Sequence, residues 1–255
     1  MSLFHVLVLS VVQGITEFLP VSSTGHLILA TNLLGIQETE FVKSFIIAIQ
    51  AGTIFSVIVL YWRRLFTDFE VIKRVTAAFI PTAVIGLTFY KLIKKFLIGN
   101  EMVVIAALFL GGLVLIALEC VHREKNDDID QISGIPYPKA FMIGLFQALA
   151  MIPGVSRSAA TILGGLSLGI RRKTIVEFSF LLAVPTLLAA TALDLLKSSH
   201  SFSGAEWKNL AVGSFISFIV AIVSIKLFLG YVKKFNLIAF GFYRILVVAI
   251  FWYFV

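Results

Sequence analysis

The sequence contains few charged residues and only one cysteine. Charged residues make up 14% of the 255 residues and hydrophobic residues 59%, whereas soluble domains have about 25% charged and about 45–50% apolar residues. These fractions exclude a soluble globular protein. The single cysteine, Cys120, excludes an internal disulfide framework and a cysteine-based metal cluster. The sequence therefore predicts an integral membrane protein.

The positive charge of the chain is concentrated at the ends of its apolar runs. The formal net charge of +7 would by itself be compatible with a nucleic-acid partner. Lysine and arginine at the ends of apolar runs are instead typical of a topology signal, with some affinity for anionic lipid headgroups. We therefore expect the lipid bilayer as a partner and no nucleic acid.

Eight apolar segments organise the chain, and two of them are broken. Six approach the length of about 20 residues that crosses a bilayer, namely 41–62, 75–97, 101–121, 175–196, 209–232 and 236–255. Segments 3–34 and 139–170 are interrupted at their middles by proline, glycine and hydroxyl residues. Irregular backbone at membrane depth is tolerated only when it is buried in protein or lines a wet cavity. We predict two re-entrant helix–loop–helix segments in an all-α, polytopic membrane protein.

The two broken segments resemble each other at a constant spacing. Gln13 lies nine residues before Ser22, and Gln147 lies nine residues before Ser156, an offset of 134. A re-entrant segment followed by three spans inverts the chain, so the second half is expected upside down relative to the first. The predicted organisation is a first repeat at 1–121, a cytoplasmic linker at 122–138 and an inverted second repeat at 139–255.

Lysine and arginine counts favour a topology with both chain ends outside the cytoplasm. In that topology the cytoplasmic side carries about twice as many of these residues as the outer side, in agreement with the positive-inside rule. Arg157 and Arg244 remain within the membrane.

The first break reads EFLPVSSTGH and places polar groups between two apolar runs. After Pro20 the chain can restart as a helix with Ser22 or Ser23 at its N-cap. The exposed N–H groups at a helix N-terminus form an anion site. A hydroxyl in this position can donate to a phosphate oxygen, and it can act as a nucleophile if a base lies nearby.

An acid and an imidazole flank these hydroxyls. Gln13 and Glu17 are four residues apart and share one helical face, and His26 falls on the same face as Ser23. Glu17 could be a helix-end carboxylate satisfied by backbone N–H groups, but an acid within a membrane segment is costly and indicates function. The alternative for His26 is a structural histidine that bridges two helices.

The second break reads PGVSRSAAT. Gly154 permits a tight turn, Ser156 can cap the next helix, and Arg157 extends from its first turn. Thr161 and Ser158 follow on the same helix. A guanidinium group binds phosphate through two parallel hydrogen bonds, which lysine cannot do. An arginine at membrane depth is costly unless it faces a cavity and an anion.

Together the two breaks provide what phosphoryl hydrolysis needs: charge stabilisation, an oriented nucleophile and a proton carrier. We expect them to meet inside the bilayer, with Glu17 and His26 facing Arg157. The alternative function is a secondary transporter or lipid flippase, because inverted repeats with broken helices are typical of transporters. A carrier needs an anion site but no nucleophile, so the residues favour an enzyme.

Four stretches resemble one known family. QGITEFLPVSSTGH resembles the glutamate-rich motif of the undecaprenyl-diphosphate phosphatases, the bacitracin-resistance family, and PGVSRSAAT resembles the PGxSRSxxT motif of that family. EFSFLLAVPTLLAATALDL and FGFYR are similar to further family stretches, in the expected order. The resemblance covers essentially the whole chain.

The resemblance implies an enzyme of the bacterial inner membrane. Its substrate would be undecaprenyl diphosphate and its products undecaprenyl phosphate, the lipid carrier for cell-wall precursors, and inorganic phosphate. The resemblance also implies a divalent cation, Mg²⁺ or Ca²⁺, and a site open to the periplasm. The sequence allows a homodimer but does not determine the oligomeric state.

The same resemblance assigns roles to residues. The catalytic residues would be Glu17, Ser23, His26 and Arg157; the phosphate contacts would be Ser22, Thr24, Ser156, Ser158 and Thr161; and Gln13 and Arg244 would support them. Gln13 occupies a position where many family members have glutamate, so Glu17 is the expected metal ligand. Whether Ser23 or His26 is the nucleophile stays open, as does a role for His26 as the base that activates Ser23. Arg244 either lines the site or neutralises a buried acid such as Glu177 or Asp194.

Overall fold

Ten α-helices account for most of the residues that the structure describes. The computed structural model describes residues 1–37, 39–96, 100–125, 128–197 and 202–254. The helices are α1 Leu3–Thr16, α2 Ser23–Leu33, α3 Glu40–Phe66, α4 Phe69–Phe96, α5 Glu101–Val121, α6 Tyr137–Ala148, α7 Arg157–Ser167, α8 Arg172–Lys197, α9 Gly204–Val232 and α10 Ile238–Phe254. Short 3₁₀ turns lie at Ile132–Gly134 and Leu149–Met151. The expected all-α class is confirmed for the described residues.

Within the described ranges, five helices are long and apolar enough to cross a membrane: α3, α4, α5, α8 and α9. Two further helices, α1 and α10, are apolar but shorter. These helices agree with a multi-pass membrane protein. Residues 97 and 255, at the ends of two predicted spans, and residues 126–127 of the predicted linker lie outside the described residues.

Polar side chains begin several of the long helices. The hydroxyl of Thr39 accepts from the backbone N–H of Val42 at the start of α3, and the Asn100 side chain begins α5 in the same way. Ser203 and Glu206 form a reciprocal capping box at the start of α9. These caps satisfy N–H groups that the first helical turn leaves free.

The second broken segment returns to the end of the molecule from which it starts. The chain before α6 and the chain after α7 are joined by two backbone hydrogen bonds, from Ile129 N to Gly169 O (3.1 Å) and from Arg171 N to Ile129 O (3.0 Å). The side chain of Lys139 also donates to Leu168 O (2.6 Å). The pair α6 and α7 is therefore a helical hairpin.

The first broken segment is folded in the same way. Met1 and Ile36, which lie at its two ends, pack against one cluster of buried side chains that includes Val6, Leu27 and Phe41. Each hairpin then packs against a long helix of the opposite half of the chain, α1 on α9 and α6 on α4.

Helices α3 and α9 approach each other closely at a glycine. A side chain at Gly52 would meet the backbone oxygen of Ser214 and the hydroxyl of Ser217. Because the helices are this close, Ser214 Oγ donates to Ala48 O (2.9 Å) and Ser217 Oγ donates to Ile49 O (2.7 Å). Small residues and hydroxyl bonds of this kind drive helix association in lipid, where apolar burial gives little net gain.

Arg244 of α10 connects both breaks. Its side chain is fully buried, and its donors reach five backbone oxygens, those of Pro20, Ala107, Leu108, Gly154 and Val155, at 2.9–3.4 Å. Pro20 belongs to the first break, and Gly154 and Val155 belong to the second. The guanidinium group thus supplies donors to three backbone oxygens that lie outside the helices and to two oxygens of α5.

The acids that the sequence offered to Arg244 are placed differently. Glu177 pairs with Arg64 (2.5 Å) and lies 3.8 Å from the amine of Lys173, so it does not neutralise Arg244. The side chain of Asp194 lies outside the described part of the structure.

Replacing Gly52 by alanine is expected to destabilise the protein by about 1–3 kcal/mol, because the new methyl group forces α3 and α9 apart. Gly230→Ala, on α9, is the matched control, since a Cβ there meets nothing within 4 Å. Alanine is the better helix former by up to about 1 kcal/mol, so the control should be neutral or stabilising. Unfolding in a denaturing detergent, followed by circular dichroism, measures both. Equal stabilities of the two variants would contradict close packing at Gly52.

Arg244→Leu is expected to cost about 3 kcal/mol or more. The backbone oxygens of Pro20, Gly154 and Val155 in the two breaks lose their donor. Each unsatisfied buried group costs about 1–3 kcal/mol. Arg244→Lys keeps the charge but has fewer donors, so its stability should lie between those of the leucine variant and the wild type. The control is Phe242→Leu on the same helix, where the side chain is 61% exposed. The detergent unfolding midpoint gives the result, and a leucine variant as stable as the control would refute the proposed role.

Candidate active site

In each hairpin, the second helix begins at a serine with an unusual backbone conformation. Ser22 caps α2 with φ 70°, and Ser156 caps α7 with φ 75°. They are the non-glycine residues with positive φ in the described part of the chain. Strained backbone of this kind persists where the surrounding structure enforces it, often at functional sites. Of the two serines that the sequence offered as the cap of α2, it is Ser22 that holds this position.

The two breaks meet at a cavity of about 130 Å³. Its wall comes from the first break (Glu17, Ser22, Ser23, Thr24), the second break and its flanks (Ala150, Pro153, Gly154, Ser156, Arg157) and two long helices (Gln50 of α3, Leu187 of α8). The free N–H ends of α2 and α7 begin at this wall, so the cavity favours an anion.

Glu17 connects the groups around the cavity. Its side chain is 4% exposed. One carboxylate oxygen, Oε2, accepts from Gln13 Nε2 and from Ser23 Oγ, both at 2.8 Å. The other, Oε1, accepts from Arg157 Nη2 at 3.2 Å. The carboxylate is therefore satisfied by side chains from both halves of the chain, and not by backbone N–H groups as the structural alternative required.

Arg157 is oriented by partners on two sides. Besides Glu17, it donates from Nη1 to the backbone oxygen (2.9 Å) and the hydroxyl (3.3 Å) of Ser179 on α8, and its guanidinium carbon lies 5.7 Å from the centre of the Phe18 ring. Its Nε atom is buried without a hydrogen-bond partner. A buried donor without a partner is rare in proteins, which makes Nε a candidate contact for an anion bound at the cavity.

Ser158 and Thr161 lie behind the cavity wall. Both are fully buried. The hydroxyl of Thr161 contacts that of Ser179 at 2.6 Å, so Thr161 supports Arg157 through Ser179. The hydroxyl of Ser158 is buried without a partner. Their direct contact with phosphate stays a prediction.

Ser23 has a base within hydrogen-bond distance, and that base is Glu17. The hydroxyl of Ser23 donates to Glu17 Oε2 at 2.8 Å. The two nitrogens of His26 are occupied elsewhere, Nδ1 by Ser22 O and Nε2 by the hydroxyl of Tyr243, each at 2.8 Å. His26 is also absent from the cavity wall. The expected contact between Glu17 and Arg157 is present. The imidazole of His26, in contrast, is held by its own two contacts and is turned toward α10.

The oxygen atoms around Glu17 suit a divalent cation that is coordinated by both the protein and a substrate. The described residues contain no group of three His, Cys, Asp or Glu side chains that could hold a metal alone. Glu17 supplies one carboxylate, and the amide oxygen of Gln13 is buried without a partner. Mg²⁺ is commonly bound by one or two carboxylates together with substrate phosphates. The residues fit that arrangement and do not fit an all-protein metal site.

Three residues at or near the site were not among the predicted site residues. Gln50 and Ser179 lie in long apolar helices, where a polar side chain is the only signal of a function. Tyr243 lies in the FGFYR stretch beside Arg244, but no spacing rule connects it to His26. Its contact with His26 depends on the packing of α10 against α2.

Comparison with known proteins identifies related chains of nearly equal length. Residues 6–250 match the family described as Bacitracin resistance protein BacA. The chain is 53% identical to the undecaprenyl-diphosphatase of Aquifex aeolicus over 247 residues, which cover 97% of this chain and 96% of the relative. It is 49% identical over 255 residues, the whole of both chains, to the undecaprenyl-diphosphatase of Persephonella marina. An enzyme of the same name from Sulfurihydrogenibium is 49% identical over 246 residues, 96% of each chain. With a match over nearly its whole length, the chain belongs to the bacitracin resistance protein BacA family.

Proposed function

We propose that this protein is a membrane-embedded undecaprenyl-diphosphatase, which hydrolyses undecaprenyl diphosphate to undecaprenyl phosphate and inorganic phosphate. The observation that carries the proposal is the contact of Glu17 with both Ser23 and Arg157 at one buried cavity. The relatives that match along the whole chain are named for this activity. The product would serve again as the carrier of cell-wall precursors, which accounts for the link to bacitracin resistance in the family description.

The cavity and the surrounding surface suit the two parts of such a substrate. The cavity is small and its wall is rich in hydroxyls, so it suits a diphosphate headgroup better than a polyprenyl chain. Large apolar side chains such as Phe55, Leu87 and Leu227 are more than half exposed on the long helices, as lipid-facing residues are. The polyprenyl tail would therefore stay in the bilayer while the headgroup enters between the helices.

Arg157 and the starts of α2 and α7 would bind the terminal phosphate. The guanidinium group offers its unpartnered Nε–H, and the two helix N-termini add backbone N–H donors. In the resting protein Glu17 occupies one guanidinium nitrogen at 3.2 Å. A phosphate that binds Arg157 competes with this contact, so binding would release the carboxylate for proton transfer. Donors placed where charge develops are usually the largest contribution to such catalysis.

The geometry favours Ser23 as the nucleophile. Its oxygen would attack the terminal phosphorus while its proton passes to Glu17 Oε2, 2.8 Å away. The bond from phosphorus to the bridging oxygen breaks, and undecaprenyl phosphate leaves. Water then hydrolyses the phosphoserine and releases inorganic phosphate. His26 is the second candidate, in which case Nε2 would form the bond to phosphorus.

A divalent cation, Mg²⁺ or Ca²⁺, is part of the proposal. Glu17 and the amide oxygen of Gln13 would hold it together with oxygens of the diphosphate. When bound, the cation would neutralise part of the charge on the diphosphate oxygens.

The proposed location is the bacterial inner membrane, with the site open to the periplasm. The support is the distribution of lysine and arginine, which favours a topology with both chain ends outside. The alternative of a transporter or flippase is not favoured, because the matching relatives are named as diphosphatases.

Arg157→Ala is expected to lower phosphate release by at least about a hundredfold, since the main donor to the transferred phosphate is lost. Arg157→Lys should restore only part of the rate, because an ammonium group cannot make two parallel hydrogen bonds. The assay uses purified protein in detergent with undecaprenyl diphosphate, with and without a chelator, which should abolish the wild-type rate. Near-wild-type activity of the alanine variant would contradict the proposed clamp, and no phosphate release by the wild type would contradict the function itself.

Ser23→Ala and His26→Ala separate the two nucleophiles. With substrate labelled in its terminal phosphate, rapid quenching of parallel samples in acid and in alkali should trap a phosphoenzyme in the wild type, because phosphoserine survives acid and phosphohistidine survives alkali. The label should disappear in Ser23→Ala but persist in His26→Ala if Ser23 attacks, because the covalent bond to phosphorus is then made by serine. The opposite pattern would assign the attack to His26. Absence of label from all three proteins under single-turnover conditions would exclude covalent catalysis.

A further inference from the structure

The two ring nitrogens of His26 have different partners. Nδ1 lies 2.8 Å from the backbone oxygen of Ser22, which also accepts the backbone N–H of His26 at 3.2 Å. A carbonyl oxygen can only accept, so Nδ1 must carry a proton. The positive φ of Ser22 sets the direction of this carbonyl. The break itself therefore determines which nitrogen of the imidazole is the donor.

The other nitrogen, Nε2, carries the lone pair of the neutral imidazole. The hydroxyl of Tyr243 lies 2.8 Å from Nε2 and donates to it. The two rings are also stacked, with centres 5.5 Å apart and planes at 8°. Neutral imidazole has one available lone pair, so an attack on phosphorus or an uptake of a proton by His26 takes place at Nε2.

Tyr243 is itself held at a defined position. The next residue, Arg244, is bonded to backbone oxygens of both breaks and of α5. These bonds fix α10 relative to the start of α2, where His26 lies. Tyr243 is nevertheless 40% exposed, so part of the residue lies at the surface of the helix bundle.

We propose that Tyr243 is a positioning residue for His26. Its ring holds the plane of the imidazole, and its hydroxyl holds the Nε2 lone pair in one direction until the reacting phosphorus or a water molecule that donates a proton replaces it. The two contacts of the imidazole have different effects. The Ser22 carbonyl selects the tautomer, and the Tyr243 hydroxyl directs the reactive nitrogen, Nε2. This inference rests on the proposed phosphatase function, because it assigns His26 to that reaction, either as nucleophile or as proton carrier.

Tyr243→Phe tests the hydroxyl separately from the ring. The phenylalanine ring can keep the stacking, whereas the hydrogen bond to Nε2 is lost. We expect kcat for phosphate release to fall about tenfold, with KM within about twofold of the wild-type value, because orientation of a proton carrier or nucleophile affects the chemical step. Tyr231→Phe is the matched control: this tyrosine, near the end of α9, packs its ring against Phe235, which follows α9, and Phe240 of α10, and the variant should keep the wild-type kcat.

Nitrogen NMR of histidine-labelled protein gives a readout that does not depend on turnover. The chain has four histidines, and the signals of His26 are identified by their loss in His26→Ala. In the wild type we expect the tautomer with the proton on Nδ1 and a hydrogen-bonded Nε2. In Tyr243→Phe the Nε2 signal should move toward that of a free lone pair, and in Tyr231→Phe it should stay unchanged.

The outcomes distinguish this inference from the proposed function. An unchanged His26 spectrum in Tyr243→Phe would overturn the inference, and so would a changed spectrum with wild-type kcat. If the wild-type protein releases no phosphate from undecaprenyl diphosphate, the proposed function fails, while the spectrum still reports whether Tyr243 orients His26. Thermal unfolding of the purified variants checks that the phenylalanine protein is folded; loss of its fold would make the residue structural and would also overturn the inference.

Discussion

The need to satisfy backbone polar groups within an apolar environment is the constraint on which this structure depends. Two hairpins are broken at their middles, and each break exposes carbonyl and N–H groups where lipid offers no partner. The guanidinium of Arg244 satisfies oxygens from both breaks, and Ser22 and Ser156 cap the helices that follow. The N–H groups that remain at the starts of α2 and α7 are then free for an anion, so the solution of the packing problem also creates the site.

The ion pair of Glu17 and Arg157 connects this architecture to chemistry. Each charge comes from a different half of the chain and would be costly in the membrane without the other. In the proposed reaction the two groups would act separately on a phosphate, Arg157 as a hydrogen-bond donor and Glu17 as a base. Because they pair with each other in the resting protein, neither charge is unpaired before the substrate binds.

The sequence could predict the helical class and the two breaks because composition and interruptions are local properties. Apolar length identifies the helices, and Pro20 and Gly154 mark the turns. It could also propose Glu17 and Arg157 as partners, which lie 140 residues apart in sequence and 3.2 Å apart in space, because buried charges in membranes usually pair. It could not predict that Ser23 contacts Glu17 instead of His26, or that His26 contacts Tyr243. Those choices depend on the φ of Ser22 and on how α10 packs, and no periodicity encodes either of them.

The exchange of packing partners between the halves has a consequence for biosynthesis. Helix α1 is made first but packs on α9, which is made near the end, and Glu17 finds its counter-charge only after Arg157 has entered the membrane. Neither contact can form until most of the chain has been synthesised. The candidate active site is thus completed late, after translation of the carboxy-terminal helices.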